Sequence, residues 1–342
     1  MKSVLVACVA ITVAAAVSAR TKKVDHAPST RYAVVDQFPL PDGGWDYAMI
    51  DGKARRLYLG RDLGVMALDI DNKKITEVLV AGAGVHSAIP VGDTDLVVST
   101  NGDNDTATVF EGKSGKIKGT VSTGKMPDAA VYDAKTGLVA IMNHGGGTVT
   151  LLDPKAVSVV GSIAVGGELE FAVAPGDGSI FVNLPGSHSI GVLDIASKKQ
   201  VRSMKLTACT EPSGLAYDAA DDLLIAVCGN GVTKFIHAKD GADVATLRTG
   251  KGSDGVIYDD DRRLTFVPSA AQGTLSVIAF DSDAKPTIVQ TLPTQMGARL
   301  GALDPKTGRI FLPTAKMGPP IPPDPWPSVT AGTVRMWVVA PE

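Results

Sequence analysis

SGLAYDAADDLLIAVCGNGVTKFIHAK, residues 213–239, decides the fold. It opens on a short apolar stretch that ends at Asp218, turns, and resumes as the aliphatic run LLIAV; Gly and Asn then interrupt it before VTKFIH. Apolar runs of about four to eight residues bounded by Gly, Asp and Asn are strands. No long amphipathic helical pattern appears anywhere in the chain.

The same arrangement recurs. A turn position follows an apolar stretch at Asp51, Gly92, Asp133, Pro175, Asp218, Asp259 and Asp304, at spacings of 41, 41, 42, 43, 41 and 45 residues. After each turn comes a β-branched or aromatic run: LYLG, LVVST, LVAIM, IFVNL, LLIAV, LTFVP and IFLPT. A third run often ends at Asp, as in TVTLLD and SIGVLD, and a fourth is more polar, as in KIKGTVSTG. Four strands in about 40 residues, repeated seven times, predict an all-β chain folded as one seven-bladed β-propeller of four-stranded antiparallel blades. Two β-sandwiches would need no fixed period. The seventh unit stops at Glu342 after its third strand, while RYAVVDQFPL, residues 31–40, reads as a strand ahead of the first unit. That N-terminal strand is expected to complete the last blade and close the ring.

Length alone would suggest two domains, at about 150 residues each; the repeat replaces that with one ring over residues 31–342. Gly 37 and Pro 21 suit a chain with many turns, and 20% charged residues with a formal net charge of -3 exclude a coiled coil and a broad basic surface for nucleic acid. The start, MKSVLVACVAITVAAAVSAR, has Lys2, an apolar run and small residues before Arg20, the pattern of a secretory signal over residues 1–19 cut after Ala19. LVAC at 5–8 resembles a lipobox, but too few residues precede Cys8 for a basic region and an apolar core. Residues 20–30, with His26, read as a linker. No later apolar run is long enough to span a bilayer. A periplasmic or secreted monomer is expected. Cys209 and Cys228 then remain, at neighbouring ends of two strands of the fifth unit, and are expected to form a disulfide.

IFVNLPGSHSIGVLD at 180–194, EPSGLAYD at 211–218 and GARLGALDPKTGRIFLPTA at 297–315 resemble the YVTN-repeat propellers, the group of exported YncE-like proteins. The likeness runs through nearly all of residues 31–342, although the literal Y-V-T-N string does not occur. It implies a binding propeller; some seven-bladed neighbours are lactonases or lyases with a metal in the central channel.

Counting five residues back from each turn position gives Asp46, Ser87, Asp128, Glu170, Ser213, Asp254 and Arg299. These equivalent positions are expected to converge at one mouth of the channel, with His86 and Glu211 close by. Clustered carboxylates repel unless a proton, a guanidinium or a metal neutralises them. Asp46, Asp128, Glu170, Asp254 and Arg299 are therefore candidate ligand-binding residues, and Asp46, Asp128, Glu170, Glu211 and Asp254 candidate ligands for a divalent cation. Water, Arg299 and backbone N–H groups could equally satisfy such a ring without any ligand. His86, His144 and His188 are the candidate proton carriers if a reaction occurs, and a packing role is expected for His237. KMGPPIPPDPWPS, residues 316–328, interrupts the seventh unit, and its Trp326 is a candidate stacking surface at the mouth or a cap on the closing seam. Trp45 and Trp337 are expected to pack between blades. GKGSDG at 250–255 leads into a strand, so it is no dinucleotide loop, and GTVSTGKM at 119–126 has Met126 where a phosphate loop needs Ser or Thr. The expectation is a module binding a small molecule, peptide or protein at the channel mouth, with a metal-assisted lactonase or lyase as the alternative.

Overall fold

The computed structural model describes residues 31–281, 285–321 and 327–342. They form seven four-stranded antiparallel sheets arranged as a β-propeller. Blade three shows the plan: Pro127–Asp133, Leu138–Asn143, Thr148–Asp153 and Ser158–Ala164 pair in the order in which the chain makes them. The two middle strands are almost wholly buried between neighbouring blades, and the last one is mostly exposed. This gradient explains why the second and third runs read as continuous apolar stretches and the fourth as a polar one.

The seventh blade is composite. Ala302–Asp304, Arg309–Thr314 and Arg335–Pro341 come from the end of the chain, and Tyr32–Pro39 pairs antiparallel with Arg335–Pro341 from the other end. Tyr32 lies opposite Pro341 and Pro39 opposite Arg335. The proline-rich insertion leaves this blade as a two-stranded ribbon, Met317–Pro320 with Pro327–Val329. Trp326, the signal segment 1–19 and the linker 20–30 lie outside the described residues.

The recurring Asp does two jobs. Its carboxylate accepts N–H bonds from residues two or three further on, as Asp51 does from Lys53 and Ala54 and Asp133 from Thr136, which shapes the turn between the first two strands. It also ties blades together: Asp133 accepts from Gly178, Asp218 from Arg263, and Asp304 from Arg55. Ring pairs Tyr58–Phe110, Phe181–Tyr217, Phe235–Phe280 and Tyr32–Phe266 pack across blade boundaries, each contributing about 1 kcal/mol beyond its buried area. Helix among the described residues is confined to single turns at Gly102–Asn104, His144–Gly146 and Pro185–Ser187, between the second and third strands of blades two to four. Cys209 and Cys228 have their sulfurs 2.08 Å apart, a disulfide pair.

The innermost strands vary in length. Ala172–Val173, Ile257–Asp259 and Ala302–Asp304 are short, although the Glu170 N–H still bonds the Asn183 carbonyl of its own blade. Asp254 and Gly255 instead donate their N–H groups to the Arg299 carbonyl, so blades six and seven are stitched together at the rim.

Candidate functional site

The residues at one mouth form a cup with a floor. Tyr47 of blade one reaches Phe171 of blade four across the channel, ring centroids 5.1 Å apart. Each follows directly on a rim carboxylate, Asp46 or Glu170. The aromatic contact therefore lies just beneath the charged ring. At the opposite mouth is an apolar depression of about 530 Å³, whose lining includes Met49, Tyr132, Pro175, Tyr217 and Tyr258.

Within the cup the charges divide into two halves. On one side Arg299 donates from Nε to Asp254 Oδ2 at 3.0 Å and from its terminal nitrogen to the Trp45 carbonyl at 2.6 Å, with its guanidinium stacked 5.5 Å from the Trp45 ring centre. That half is internally neutralised. On the other side His86 Nδ1 stands 2.7 Å from Asp46 Oδ2 and 3.4 Å from Asp128 Oδ1, while His144 Nδ1 stands 3.5 Å from Glu170 Oε1. Three carboxylates and two imidazoles thus face one another without a guanidinium or an ammonium among them.

Local backbone seats each histidine. The His86 carbonyl accepts the N–H of Tyr47, and only a glycine at position 60 permits this approach, since a Cβ there would come 2.1 Å from the same carbonyl oxygen. Gly102 does the same for the ring: a Cβ would fall 2.6 Å from His86 Nε2. Nδ1 is consequently the nitrogen turned to the carboxylates. His144 starts the single helical turn after Asn143, and its Nδ1 lies 2.9 Å from the Leu169 carbonyl. Behind the rim, Thr100 donates to the Asp128 carbonyl at 2.6 Å and accepts from the Ser87 N–H at 3.0 Å, fixing the backbone that carries Asp128.

Burial among like charges shifts the titration of this half. Glu170 is pushed up to about 9, first by desolvation and then by Asp128, Asp254 and Asp46. Asp128 moves upward as well, through desolvation and the neighbouring Asp46, with His86 opposing. Asp254 rises by desolvation despite the pull of Arg299. For His86, desolvation favours the neutral ring, but the Asp46 hydrogen bond and the Asp128 charge outweigh it and raise the imidazole to about 9. Tyr47, buried amid four carboxylates, is held well above its ordinary value by desolvation and then by their charge. Burial and mutual repulsion thus disfavour the charged forms of Asp128 and Glu170, while the Asp46 and Asp128 carboxylates favour the charged form of His86.

Donor atoms from Asp46, His86 and Asp128 all fall within 4.8 Å of one another, and so do those from Asp128, His144 and Glu170. Glu211 joins neither group: it is exposed, its φ of 51° places it in the left-handed region, and its N–H points at His188 Nδ1, 3.4 Å away. His188 is thus beside Glu211 rather than among the clustered carboxylates. Ser87 and Ser213, at equivalent positions in the ring, carry no charge to the mouth. Sequence reading passed over Tyr47 as a part of the cup. Its signal was position, one residue beyond a rim carboxylate, but its partner lies on the opposite blade.

These features define a seven-bladed β-propeller with a charged cup at one mouth. Its structure is similar to a chain of Kuenenia stuttgartiensis hydrazine synthase, with TM-score 0.69 and 15% identity, covering 79% of this chain and 91% of that one. It is also similar to a chain of the mitotic checkpoint complex, with TM-score 0.70 and 14% identity over 98% of both chains. A third likeness is to U3-55K, with TM-score 0.75 and 9% identity, covering 90% of this chain and 98% of that one. At such identities the likeness is one of fold. No family model matches the sequence, and no curated protein matches it.

Proposed function

We propose that this chain is an exported, monomeric propeller of the YncE-like kind that acts as a binding module, and that its cup takes a small cationic ligand. The observation that carries this reading is the cluster of donors in one half-ring: Asp46, Asp128 and Glu170 gathered around His86 and His144, while Arg299 is bonded to Asp254 and Trp45. The buried cysteine pair suits an oxidising compartment. No helix among the described residues is long and apolar enough to cross a membrane.

Isothermal titration of the purified protein with divalent cations and with small organic amines tests the reading. A saturable heat that Asp128→Asn combined with Glu170→Gln abolishes is the expected outcome. Binding that the double variant leaves unchanged would place the ligand elsewhere.

A second reading, a metal-assisted lactonase or lyase, is favoured by one feature: each of the two groups sets a histidine against two carboxylates, a combination that can both hold a metal and move a proton. Turnover of lactone substrates that stops with chelator and returns with metal would distinguish it from a pure binding module.

A further inference from the structure

Resting on the cationic-ligand reading, we infer that the cup holds two first-row transition-metal dications: one against Asp46, His86 and Asp128, the other against Asp128, His144 and Glu170, with Asp128 bridging them. The five side chains do not form one group with all donors within 4.8 Å; they form two, and Asp128 alone belongs to both. One ion cannot engage all five as they stand. Two ions can, through the two oxygens of the shared carboxylate.

The separations fit co-ligands. Nitrogen and oxygen donors about 2.0–2.2 Å from a tetrahedral metal lie roughly 3.3–3.6 Å from one another. His86 Nδ1 to Asp128 Oδ1 is 3.4 Å and His144 Nδ1 to Glu170 Oε1 is 3.5 Å, too long for strong hydrogen bonds. The shorter His86 to Asp46 contact, 2.7 Å, is a hydrogen bond whose proton leaves to solvent when an ion takes the nitrogen lone pair. Mixed imidazole and carboxylate donors suit zinc, manganese, cobalt or iron, whereas calcium and magnesium prefer oxygen alone. His144 Nδ1 also lies 2.9 Å from the Leu169 carbonyl, a hydrogen bond given up, with its proton leaving to solvent, when an ion takes that nitrogen.

The surroundings keep the two places distinct and closed from below. Gly102 leaves room for the His86 ring, Thr100 anchors the backbone of Asp128, and Arg299 keeps Asp254 engaged outside both groups. The Tyr47–Phe171 contact forms the floor, so ions enter from the mouth.

The test is titration of chelator-treated protein with Co²⁺ followed by visible absorption, and with Mn²⁺ followed by electron paramagnetic resonance. Two equivalents are expected, with a spin-coupled spectrum in the fully loaded Mn²⁺ form. His86→Gln and Glu170→Gln should each remove one equivalent and the coupling while leaving the other equivalent bound, and Asp128→Asn should weaken both at least tenfold, with circular dichroism melts establishing that the variants fold. One equivalent in the wild type, an uncoupled pair, or an Asp128→Asn protein that keeps both ions overturns the inference. Saturable binding of an organic amine with no uptake of Co²⁺ or Mn²⁺ overturns the two-ion centre and leaves the cationic cup standing. If neither amine nor metal binds, both readings fall.

Discussion

Arg299 and Asp254, five residues before consecutive turn positions, form an ion pair at 3.0 Å that takes one carboxylate out of the channel-mouth ring. The same guanidinium reaches the Trp45 carbonyl and lies over the Trp45 ring, so blades six, seven and one meet on a single side chain. Replacing it by Met should cost about 2 kcal/mol, within the range for hydrogen bonds to charged groups. Adding Asp254→Asn should restore part of that loss, because the stranded carboxylate is then removed. Urea unfolding of both single variants and the double variant measures the coupling. Strictly additive losses would mean that the two side chains do not act as a pair.

Asp304 provides the pH dependence. Its side chain is almost wholly buried, which by itself would raise the pKa, but the Arg55 guanidinium and the Thr307 hydroxyl more than offset this and hold the carboxyl below its ordinary range. The unfolded chain therefore takes up its proton at higher pH than the folded one. The stabilisation is complete above the unfolded value near pH 4 and disappears as pH falls through the lower folded value. Asp304→Asn keeps the turn acceptor and removes only the charge. The expected loss is about 3 kcal/mol at pH 7, shrinking progressively below about pH 4. Denaturant melts from pH 7 to pH 2 measure it, and a gap that stays constant to pH 2 would contradict the assignment.

The composite seventh blade gives a cruder test. Deleting residues 31–40 removes the strand that pairs with Arg335–Pro341, together with Tyr32, which is buried against Phe266. The thermal midpoint should fall by ten degrees or more, or folding should fail, since about 3 kcal/mol for a large buried aromatic is only part of the loss. An unchanged melt would show that the pairing contributes nothing to the ring.

Cys209 and Cys228 cross-link a loop of 19 residues within blade five. Replacing both with Ser should lower stability by roughly 3 kcal/mol, mostly by freeing the unfolded chain. A chain starting at Arg20, and so lacking Cys8, should contain no free thiol when unfolded without reductant. A count of two free thiols in that protein would refute the cross-link.

Much of the cup was legible along the chain. Asp46, Asp128, Glu170 and Asp254 emerged by counting back from one recurrent turn residue, and the structure gathers them at one mouth because equivalent positions in equivalent blades face the same axis. Glu211 looked equally suitable on sequence, two residues ahead of Ser213. It misses the cup because its left-handed backbone leaves it exposed beside His188, and the conformation of a single residue leaves no mark on periodicity. Tyr47 was illegible for another reason. A tyrosine in an innermost strand reads as core, and its contact with Phe171 depends on how far blades one and four stand apart across the channel.

The sequence by itself determined the number of blades, the order of their strands and the ring of positions at the mouth, because turn chemistry and apolar runs are local and repeat every 41 to 45 residues. Only the tertiary structure decided how charge is shared within that ring. Arg299 pairs with Asp254, His86 lies between Asp46 and Asp128, and His144 turns towards Glu170, each contact joining different blades. Coulomb and hydrogen-bond energies depend on distances of a few ångströms between side chains far apart in the chain, and those distances exist only once the ring has closed.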